Sequence, residues 1–302
     1  TRNFESREGS KPAAGQLAAV ALMDARSIAA TAANGGRLTP ATEVSYMKKV
    51  KKYFFDGKIY ENRVYHGAGK AHKEEELKYG PNIADWPEMI PLGKNLLIKI
   101  ASVINDPVTT TDELIPSGET SSYRSNPYKL AEFTLSRKDP AYVGRAKQIK
   151  ADEDARRETG KLPDSVLAQL KDVQLGENTI YGSCVVANKP GDGSAREQAA
   201  SCQRVLGGVA NIAKEYATKR YRSNLINWGM LPLLMEKPHF KVGDYVYIEN
   251  IDKLIAEGAE KIPAKHIGHN DVKDVEFTVG QLTPDERSII LRGCLINFNA
   301  GR

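Results

Sequence analysis

The sequence predicts an α/β protein, because apolar segments typical of buried strands alternate along the chain with segments typical of helices. Residues 96–104 and 179–187 are the clearest predicted strands, since each is apolar and contains several β-branched residues. Residues 245–249 and 275–279 are two shorter predicted strands. No internal repeat or low-complexity tract interrupts this alternation, so one α/β class describes the whole chain.

The predicted helices are bounded by capping and stop signals. Five segments are predicted to be helical: residues 13–34, residues 126–157 with an interruption near Pro140, residues 164–173, a segment that opens near Ser194, and residues 284–298. Gly35 and Gly36 favour the end of the first helix. Asp164 and Thr283 are predicted N-caps, and Pro284 suits the first turn of the last helix.

Residues 67–93 are predicted to form a linker, because they combine a charge cluster at residues 73–76 with three prolines and several turn signals. We therefore expect a domain boundary in this segment. Residues 1–66 would belong to one domain, and residues 94–302 would form a second domain.

The composition is that of an ordinary globular protein, with 302 residues of which 41% are hydrophobic and 27% are charged. The net charge of +5 is a mild excess that fits an anionic substrate or a weakly basic surface and singles out neither. No apolar run approaches the length that spans a bilayer, and the first residues lack a signal-peptide pattern. Three widely spaced cysteines disfavour a disulfide framework, so we expect a reducing compartment, either the cytoplasm or the mitochondrial matrix.

The segment with the clearest capacity for chemistry is residues 191–198, where a predicted strand leads through a glycine-rich turn into a helix. The free N–H groups of a helix N-terminus favour an anion, and Arg196 can hold a carboxylate with two hydrogen bonds. Ser194 would lie at the tip of the turn with its hydroxyl exposed. The alternative is purely structural: Ser194 caps the helix and Arg196 pairs with an acid such as Glu197.

The sequence Gly193-Ser194-Ala195-Arg196-Glu197-Gln198 resembles the Gly-Ser-Ser-Arg-Glu-His motif of the aconitase superfamily. The resemblance continues through residues 206–208 and 223–233. It implies that Ser194 is the catalytic base and that Arg196 binds a substrate carboxylate. Ala195 and Gln198 depart from the motif, which bears more on the identity of the substrate than on the type of reaction.

A second stretch, Thr110-Thr111-Asp112-Glu113, resembles the Thr-Thr-Asp-His segment that opens the mobile domain of the same family. The resemblance implies that Asp112 is the active-site aspartate and that Arg124 is another substrate-binding arginine. Glu113 replaces the histidine of the family pattern.

The first residues resemble an arginine-containing segment of the family, which implies that Arg2 and Arg7 are also substrate-binding arginines. In fold, the resemblance implies the end of a three-layer α/β/α domain, followed by a linker and a swivelling β/β/α C-terminal domain. Four arginines suit a substrate with several carboxylates, since the guanidinium group is permanently charged, planar and bidentate.

The implied activity is that of a hydro-lyase that interconverts citrate, cis-aconitate and isocitrate. The implied cofactor is a 4Fe-4S cluster, which upstream cluster-bearing domains of the same protein would hold. Cys184, Cys202 and Cys294 match none of the cluster positions and are expected to be structural. His266 and His269 are expected on a surface loop.

Two alternatives remain open. The first is a related enzyme: the same resemblance also allows a hydratase of homoaconitate, isopropylmalate or methylaconitate. Some aconitase relatives bind RNA, and the basic run at residues 48–52 beside aromatic residues is the one feature that points to nucleic acid. A short amphipathic element with a solvated lysine face is the simpler explanation of that run.

Overall fold

The computed structural model describes residues 22–43, 54–63, 67–76 and 78–301. These residues fall into two compact units that divide between Glu75 and Glu76. The described part of the first unit contains helix α1 (Ala25–Ala33), a 3₁₀ turn (Ala41–Glu43) and helix α2 (Lys58–Glu61).

Helix α1 begins at Ala25 because the carboxylate of Asp24 accepts hydrogen bonds from the backbone N–H groups of Arg26 and Ser27, at 3.0 and 3.2 Å. The helix prediction for residues 13–34 is therefore wrong at residues 22–24, and its residues 13–21 lie outside the described chain. The predicted stop is confirmed, since Gly35 follows the helix with a φ of +64°.

The second unit contains nine strands among its described residues: β1 (Asn95–Ile104), β2 (Thr109–Thr110), β3 (Thr179–Ala187), β4 (Pro190–Asp192), β5 (Gly208–Ala213), β6 (Leu231–Leu234), β7 (Tyr245–Ile248), β8 (Lys261–Ile267) and β9 (Val272–Thr278). The four predicted strands are confirmed as β1, β3, β7 and β9. Strands β5, β6 and β8 were not predicted, because β5 is built largely from small residues and both β6 and β8 contain a proline.

Seven of these strands close into a barrel in the order β1-β3-β5-β6-β9-β8-β7. The pairs β1–β3, β3–β5 and β5–β6 are parallel, and the remaining pairs, including the closing pair β7–β1, are antiparallel. Strands β2 and β4 form a separate two-stranded sheet. The α/β fold class is thus confirmed.

Strand β1 is apolar on both faces because each face contributes to a different core. Leu96, Ile98 and Ile100 belong to one buried apolar cluster, whereas Leu97 and Ala101 belong to the other. Alternate residues of a strand point to opposite faces, so a strand buried on both sides has a nearly continuous apolar sequence. This two-sided burial is why the sequence shows β1 and β3 so clearly.

The helices of the second unit are α3 (Thr111–Leu114), α4 (Pro127–Ala131), α5 (Tyr142–Thr159), α6 (Asp164–Leu167), α7 (Arg196–Val205), α8 (Lys219–Asn227), α9 (Ile251–Glu257), α10 (Pro284–Leu291) and α11 (Leu295–Asn299). Helix α5 packs on β3 through one face, which buries Tyr142, Ala146, Ile149 and Glu153. In the part of the chain that the structure describes, no helix is long and apolar enough to span a membrane.

Three helix predictions need correction. The helix at 126–157 breaks near Pro140 as predicted, but the break runs from the end of α4 to the start of α5. Helix α6 stops at Leu167, and Asp164 is its first residue rather than its cap, since Pro163 occupies the N-cap position and no side chain caps the helix. The last helix is divided into α10 and α11 at Gly293, whereas Thr283 caps α10 as predicted.

Residues 84–92, which we call the strap, lie across the second unit without forming a helix or strand. Trp86 packs against Trp228 with ring centroids 4.5 Å apart. The backbone carbonyl of Ile90 accepts a hydrogen bond from Arg204 Nη2 at 2.8 Å, and the N–H of Leu92 donates to the carbonyl of Leu291 at 3.0 Å. The strap is therefore held by contacts along its length, and the assignment of residues 67–93 as a linker stays a prediction.

Gly293 makes the close approach of the strap possible. Its φ is +88°, and a Cβ atom at this position would lie 2.2 Å from the Ile90 carbonyl oxygen. Gly243 has a similar φ of +96° but has no neighbouring atom within 4 Å of such a Cβ. Substitution of Gly243 therefore introduces backbone strain alone, whereas substitution of Gly293 introduces backbone strain together with a steric clash.

We expect Gly243→Ala to lower the free energy of unfolding by about 1–2 kcal/mol through backbone strain alone. Gly293→Ala should cost at least about 1 kcal/mol more, because the strap must also move. Urea unfolding of both variants measures the difference. Equal losses for the two variants would show that the strap does not depend on Gly293.

Candidate active site

The parallel pairing of β1 with β3 brings the two segments that follow these strands to the same end of the barrel. The last pair in this register is Ile104 with Ala187. Beyond it, β2 and β4 pair in parallel, with Thr110 opposite Asp192. Because both strands run in the same direction, the residues that follow each strand emerge side by side. Asp112 lies two residues beyond one partner, and Ser194 lies two residues beyond the other.

Glycines set the path of the turn that carries Ser194. Gly193 has a φ of +134°, and a Cβ atom there would lie 2.2 Å from the Thr111 hydroxyl oxygen. Gly191 has a φ of +96°, and its Cβ would meet the Tyr221 ring at 2.2 Å. Both positions therefore require glycine. The contact of Gly193 with Thr111 packs the turn against the start of α3.

The N-terminus of α7 is not capped by a side chain. Its N-cap residue is Ala195, which cannot accept a hydrogen bond through its side chain, and Ser194 makes no capping bond. The alternative in which Ser194 caps the helix is therefore wrong. The N–H groups of the first turn carry partial positive charge, which favours an anion at this end of α7.

Arg196 is half-buried at the first position of α7, and its Nε atom is buried without a hydrogen-bond partner among the described residues. Nor does Arg196 form an ion pair with Glu197, which the structural alternative required. Buried polar atoms in proteins almost always have a hydrogen-bond partner. An unpartnered guanidinium N–H beside an uncapped helix end is suited to an anionic ligand.

An open cleft of about 290 Å³ lies in front of the turn. Six residues line it: Ser117, Arg124, Ser194, Ala195, Glu197 and Gln198. The structure thus brings the predicted Ser194 and Arg124 together on one cleft, and Arg124 is held there by a 3.3 Å hydrogen bond from Nη2 to the Ser117 carbonyl. Asp112 and Arg196 are not among these lining residues.

Asp112 lies in the first turn of α3, with its carboxylate about half exposed. Its Oδ2 atom accepts a hydrogen bond from Arg137 Nη1 at 2.6 Å, and Arg137 also pairs with Glu119. The aspartate is therefore close to the Ser194 turn but is already engaged by a cation from another segment.

Glu113 has a structural explanation. Thr110 and Glu113 form a reciprocal capping box at the start of α3, in which Glu113 Oε2 accepts from the Thr110 N–H at 2.7 Å. Lys138 Nζ lies 3.0 Å from Glu113 Oε1. Burial raises the pKa of Glu113, but the hydrogen bonds from Thr110 and Lys138 outweigh burial and hold the pKa below its ordinary value.

Some predicted residues lie outside the described chain. Arg2, Arg7 and the basic run at residues 48–52 are among them, so their roles stay predictions. The histidine prediction is wrong for His266, which lies in β8 with its Nε2 atom 2.9 Å from the carboxylate of Asp244.

The three cysteines are free and buried. Cys184 belongs to one apolar cluster, whereas Cys202 and Cys294 belong to the other. Burial raises the pKa of the Cys184 and Cys202 thiols well above the ordinary value, which disfavours the thiolates that a metal needs. Across the described residues, no group of three or more metal-ligating side chains occurs. The described part of this chain therefore does not fit an iron–sulfur cluster.

Sequence reasoning missed three contributors to this region: Ser117 and Glu197, which line the cleft, and Arg137, which holds Asp112. Glu197 belongs to the Gly193–Gln198 motif and Ser117 follows the Thr110–Glu113 stretch, but no local pattern shows which residues face a cleft. Arg137 falls in a segment predicted to be helical and carries no motif signal at all.

Part of the chain is similar to known proteins. Residues 144–238 match the aconitase C-terminal domain family. The mitochondrial aconitate hydratase of Gracilaria gracilis is 35% identical over 109 residues, which are 35% of this chain and 12% of that protein. The solved structure of 3-isopropylmalate dehydratase (leuD) from Methanocaldococcus jannaschii superposes with a TM-score of 0.43 and 23% identity, covering 70% of this chain and 95% of that one.

The segment that is similar to the aconitase C-terminal domain family, residues 144–238, includes the Ser194 turn and all of α7. The matched segment spans only about an eighth of the length of the Gracilaria enzyme.

Glu113→Gln should lower the free energy of unfolding at pH 7 by about 1 kcal/mol, because the charged hydrogen bonds to Thr110 and Lys138 are weakened. The folded-state pKa of Glu113 lies below its ordinary value of 4.5, so its stabilisation is present above that pH and is lost as the pH falls through the folded-state pKa. Urea titrations between pH 7 and pH 3 should show the two proteins converging in acid. A gap that does not narrow as the pH falls below 4.5 contradicts this assignment.

Proposed function

We propose that the protein is a hydro-lyase of the aconitase type, which reversibly dehydrates and hydrates a tricarboxylate of the citrate, cis-aconitate and isocitrate series. The observation that carries the proposal is the cleft in which Ser194 and Arg124 meet in front of the uncapped end of α7. The match of residues 144–238 to the aconitase C-terminal domain supports it.

Each residue has a defined part in such a reaction. Ser194, as the alkoxide, removes a proton from the carbon beside a substrate carboxylate. The electron pair left on carbon forms a double bond to the next carbon, and the hydroxyl on that carbon leaves. Negative charge grows on the carboxylate during proton removal, and Arg124 and Arg196 stabilise it.

Serine is a weak base unless its anion is stabilised. Positive charge from the N–H groups of α7 and from Arg196 would lower the free energy of the Ser194 alkoxide relative to the alcohol. Asp112 is proposed as the active-site carboxylate, placed next to the turn by the β2–β4 pairing. Arg2 and Arg7 complete the proposed set of substrate-binding arginines.

The hydroxyl needs a Lewis acid to leave, and a 4Fe-4S cluster supplies one in the proposed complete protein. Since the described cysteines do not fit the cluster, we propose that another domain of the same protein binds it. The isolated chain would then bind substrate weakly and turn nothing over. The cytoplasm or the mitochondrial matrix remains the proposed location.

A related hydratase, acting on homoaconitate, isopropylmalate or methylaconitate, is the second candidate. The observation in its favour is that both departures from the aconitase motif, Ala195 and Gln198, line the cleft. A missing hydroxyl and a missing imidazole at the substrate alter which groups on the substrate can be hydrogen-bonded.

Ser194→Ala should abolish the hydration of cis-aconitate by the complete gene product, reconstituted with iron and sulfide without oxygen. The expected loss in kcat is at least about 10³-fold, since the base is removed. Ser165→Ala, at an exposed serine of α6, is the matched control and should keep full activity. Absorbance of the double bond at 240 nm measures turnover, and circular dichroism checks folding. Turnover that survives in Ser194→Ala would assign the base elsewhere.

Arg196→Lys should weaken the binding of tricarballylate, a tricarboxylate without a hydroxyl, by about 10-fold or more, because lysine lacks the planar fork of arginine. Isothermal titration of the complete protein measures this affinity. Arg26→Lys, an exposed arginine of α1, is the control and should bind normally. Unchanged affinity in Arg196→Lys would mean that Arg196 does not contact the ligand.

A further inference from the structure

The turn formed by residues 135–139 lies against the end of α3 in an unusual backbone conformation. Leu135 is fully buried and has a φ of +56°, a left-handed region that residues with side chains rarely adopt. Its N–H donates to the carbonyl of Leu114, the last residue of α3, at 2.9 Å. This bond fixes the turn directly onto the helix that carries Asp112.

The turn presents two adjacent cations to two adjacent carboxylates of α3. Arg137 Nη1 lies 2.6 Å from Asp112 Oδ2, and Lys138 Nζ lies 3.0 Å from Glu113 Oε1. Lys138 also pairs with Asp106, which precedes β2, at 2.9 Å. The turn therefore holds α3 at three points: the Asp112 carboxylate, the Glu113 carboxylate and the backbone carbonyl of Leu114.

The far end of the turn is anchored in the body of the unit. The Asp139 carboxylate accepts a hydrogen bond from the Ser102 hydroxyl of β1 at 2.6 Å and pairs with Arg145 of α5. Arg145 in turn donates from Nε to the carbonyl of Ala101 at 2.6 Å. The turn therefore connects α3 to β1 and α5 and fixes its position relative to them.

Arg137 has a second contact that reaches the cleft loop. Its Nη2 atom pairs with Glu119, which lies between the cleft-lining residues Ser117 and Arg124. One guanidinium thus connects the segment that carries Asp112 to the segment that carries Arg124. The two-armed, planar geometry of arginine suits this connection, and the single ammonium of lysine does not reproduce it.

We propose that Arg137 is a positioning residue: Glu119 anchors its guanidinium, and the guanidinium holds the Asp112 carboxylate beside the Ser194 turn. The catalytic consequence rests on the function proposed above. The side chains of Arg137, Asp112 and Glu119 are 46%, 55% and 60% exposed. Ion pairs this exposed contribute little to stability. The effect of removing Arg137 should therefore fall on geometry at the site and not on the stability of the fold.

The first test measures turnover of cis-aconitate by the complete, reconstituted gene product. Arg137→Gln should lower kcat by about 10- to 100-fold, with little change in KM and in the melting temperature, because Asp112 is displaced while the lining residues remain. Arg137→Lys should recover only part of the loss. The double variant Asp112→Asn/Arg137→Gln should be no slower than Asp112→Asn alone, since Arg137 acts through Asp112.

A matched control is Lys147→Gln on α5. It removes the ion pair of Lys147 with Glu132, whose exposure is similar to that of the Arg137 pairs, and it should leave kcat unchanged. A kcat of Arg137→Gln within twofold of the parent, in a protein that loses activity with Asp112→Asn, overturns the proposal. Losses that multiply in the double variant also overturn it, because Arg137 would then act by another route.

The second test needs no substrate and separates this proposal from the proposed function. Hydrogen–deuterium exchange of this chain should show faster exchange over residues 109–115 in Arg137→Gln than in the parent or in Lys147→Gln. Unchanged exchange there overturns the positioning role, even in an active enzyme. If the parent protein hydrates no tricarboxylate, the proposed function fails, and the exchange result alone decides whether Arg137 holds α3.

Discussion

The position of every candidate site residue in the second unit depends on the parallel pairing of β1 with β3. Each strand is buried on both faces, and its two faces belong to two different apolar clusters, so a shift of one residue would exchange the two cores. That constraint fixes Ile104 opposite Ala187. Strands β1 and β3 therefore end at the same end of the barrel. Beyond them, the short β2–β4 pairing keeps the two segments aligned up to Thr110 and Asp192, two residues before Asp112 and Ser194.

Around the cleft, most polar groups are satisfied by contacts that are structural. Glu113 closes a capping box and pairs with Lys138, and Asp112 pairs with Arg137. Against this background the unpartnered Nε of Arg196 is the exception. A guanidinium N–H that is buried without a partner in the protein is costly unless a ligand supplies one. The uncapped end of α7 has the same property, which is why the two together indicate an anion site.

Helix α7 joins the cleft to the strap. Its first residue is Arg196, and Arg204 near its other end donates to the carbonyl of Ile90 in the strap. The strap also reaches the cleft loop, since the N–H of Ala84 donates to the carbonyl of Ser125, next to Arg124. A displacement of residues 84–92 would therefore act on the cleft through both α7 and the Arg124 loop.

The sequence by itself determined the α/β class, the strands β1 and β3, the cap at Thr283 and the glycine turn before Ser194. These features follow from local pattern: two-sided burial, capping chemistry and the backbone freedom of glycine. Only the tertiary structure decided that Ser194 is exposed and not a cap, that Asp164 is not a cap, and that Arg137 reaches Asp112. The Arg137–Asp112 contact joins residues 25 positions apart, so no local signal encodes it. The two helix ends depend on the exact residue at which each helix starts, which a capping pattern does not fix. The tertiary structure also decided that β7 pairs with β1 and closes the barrel, because these two strands are far apart in the sequence.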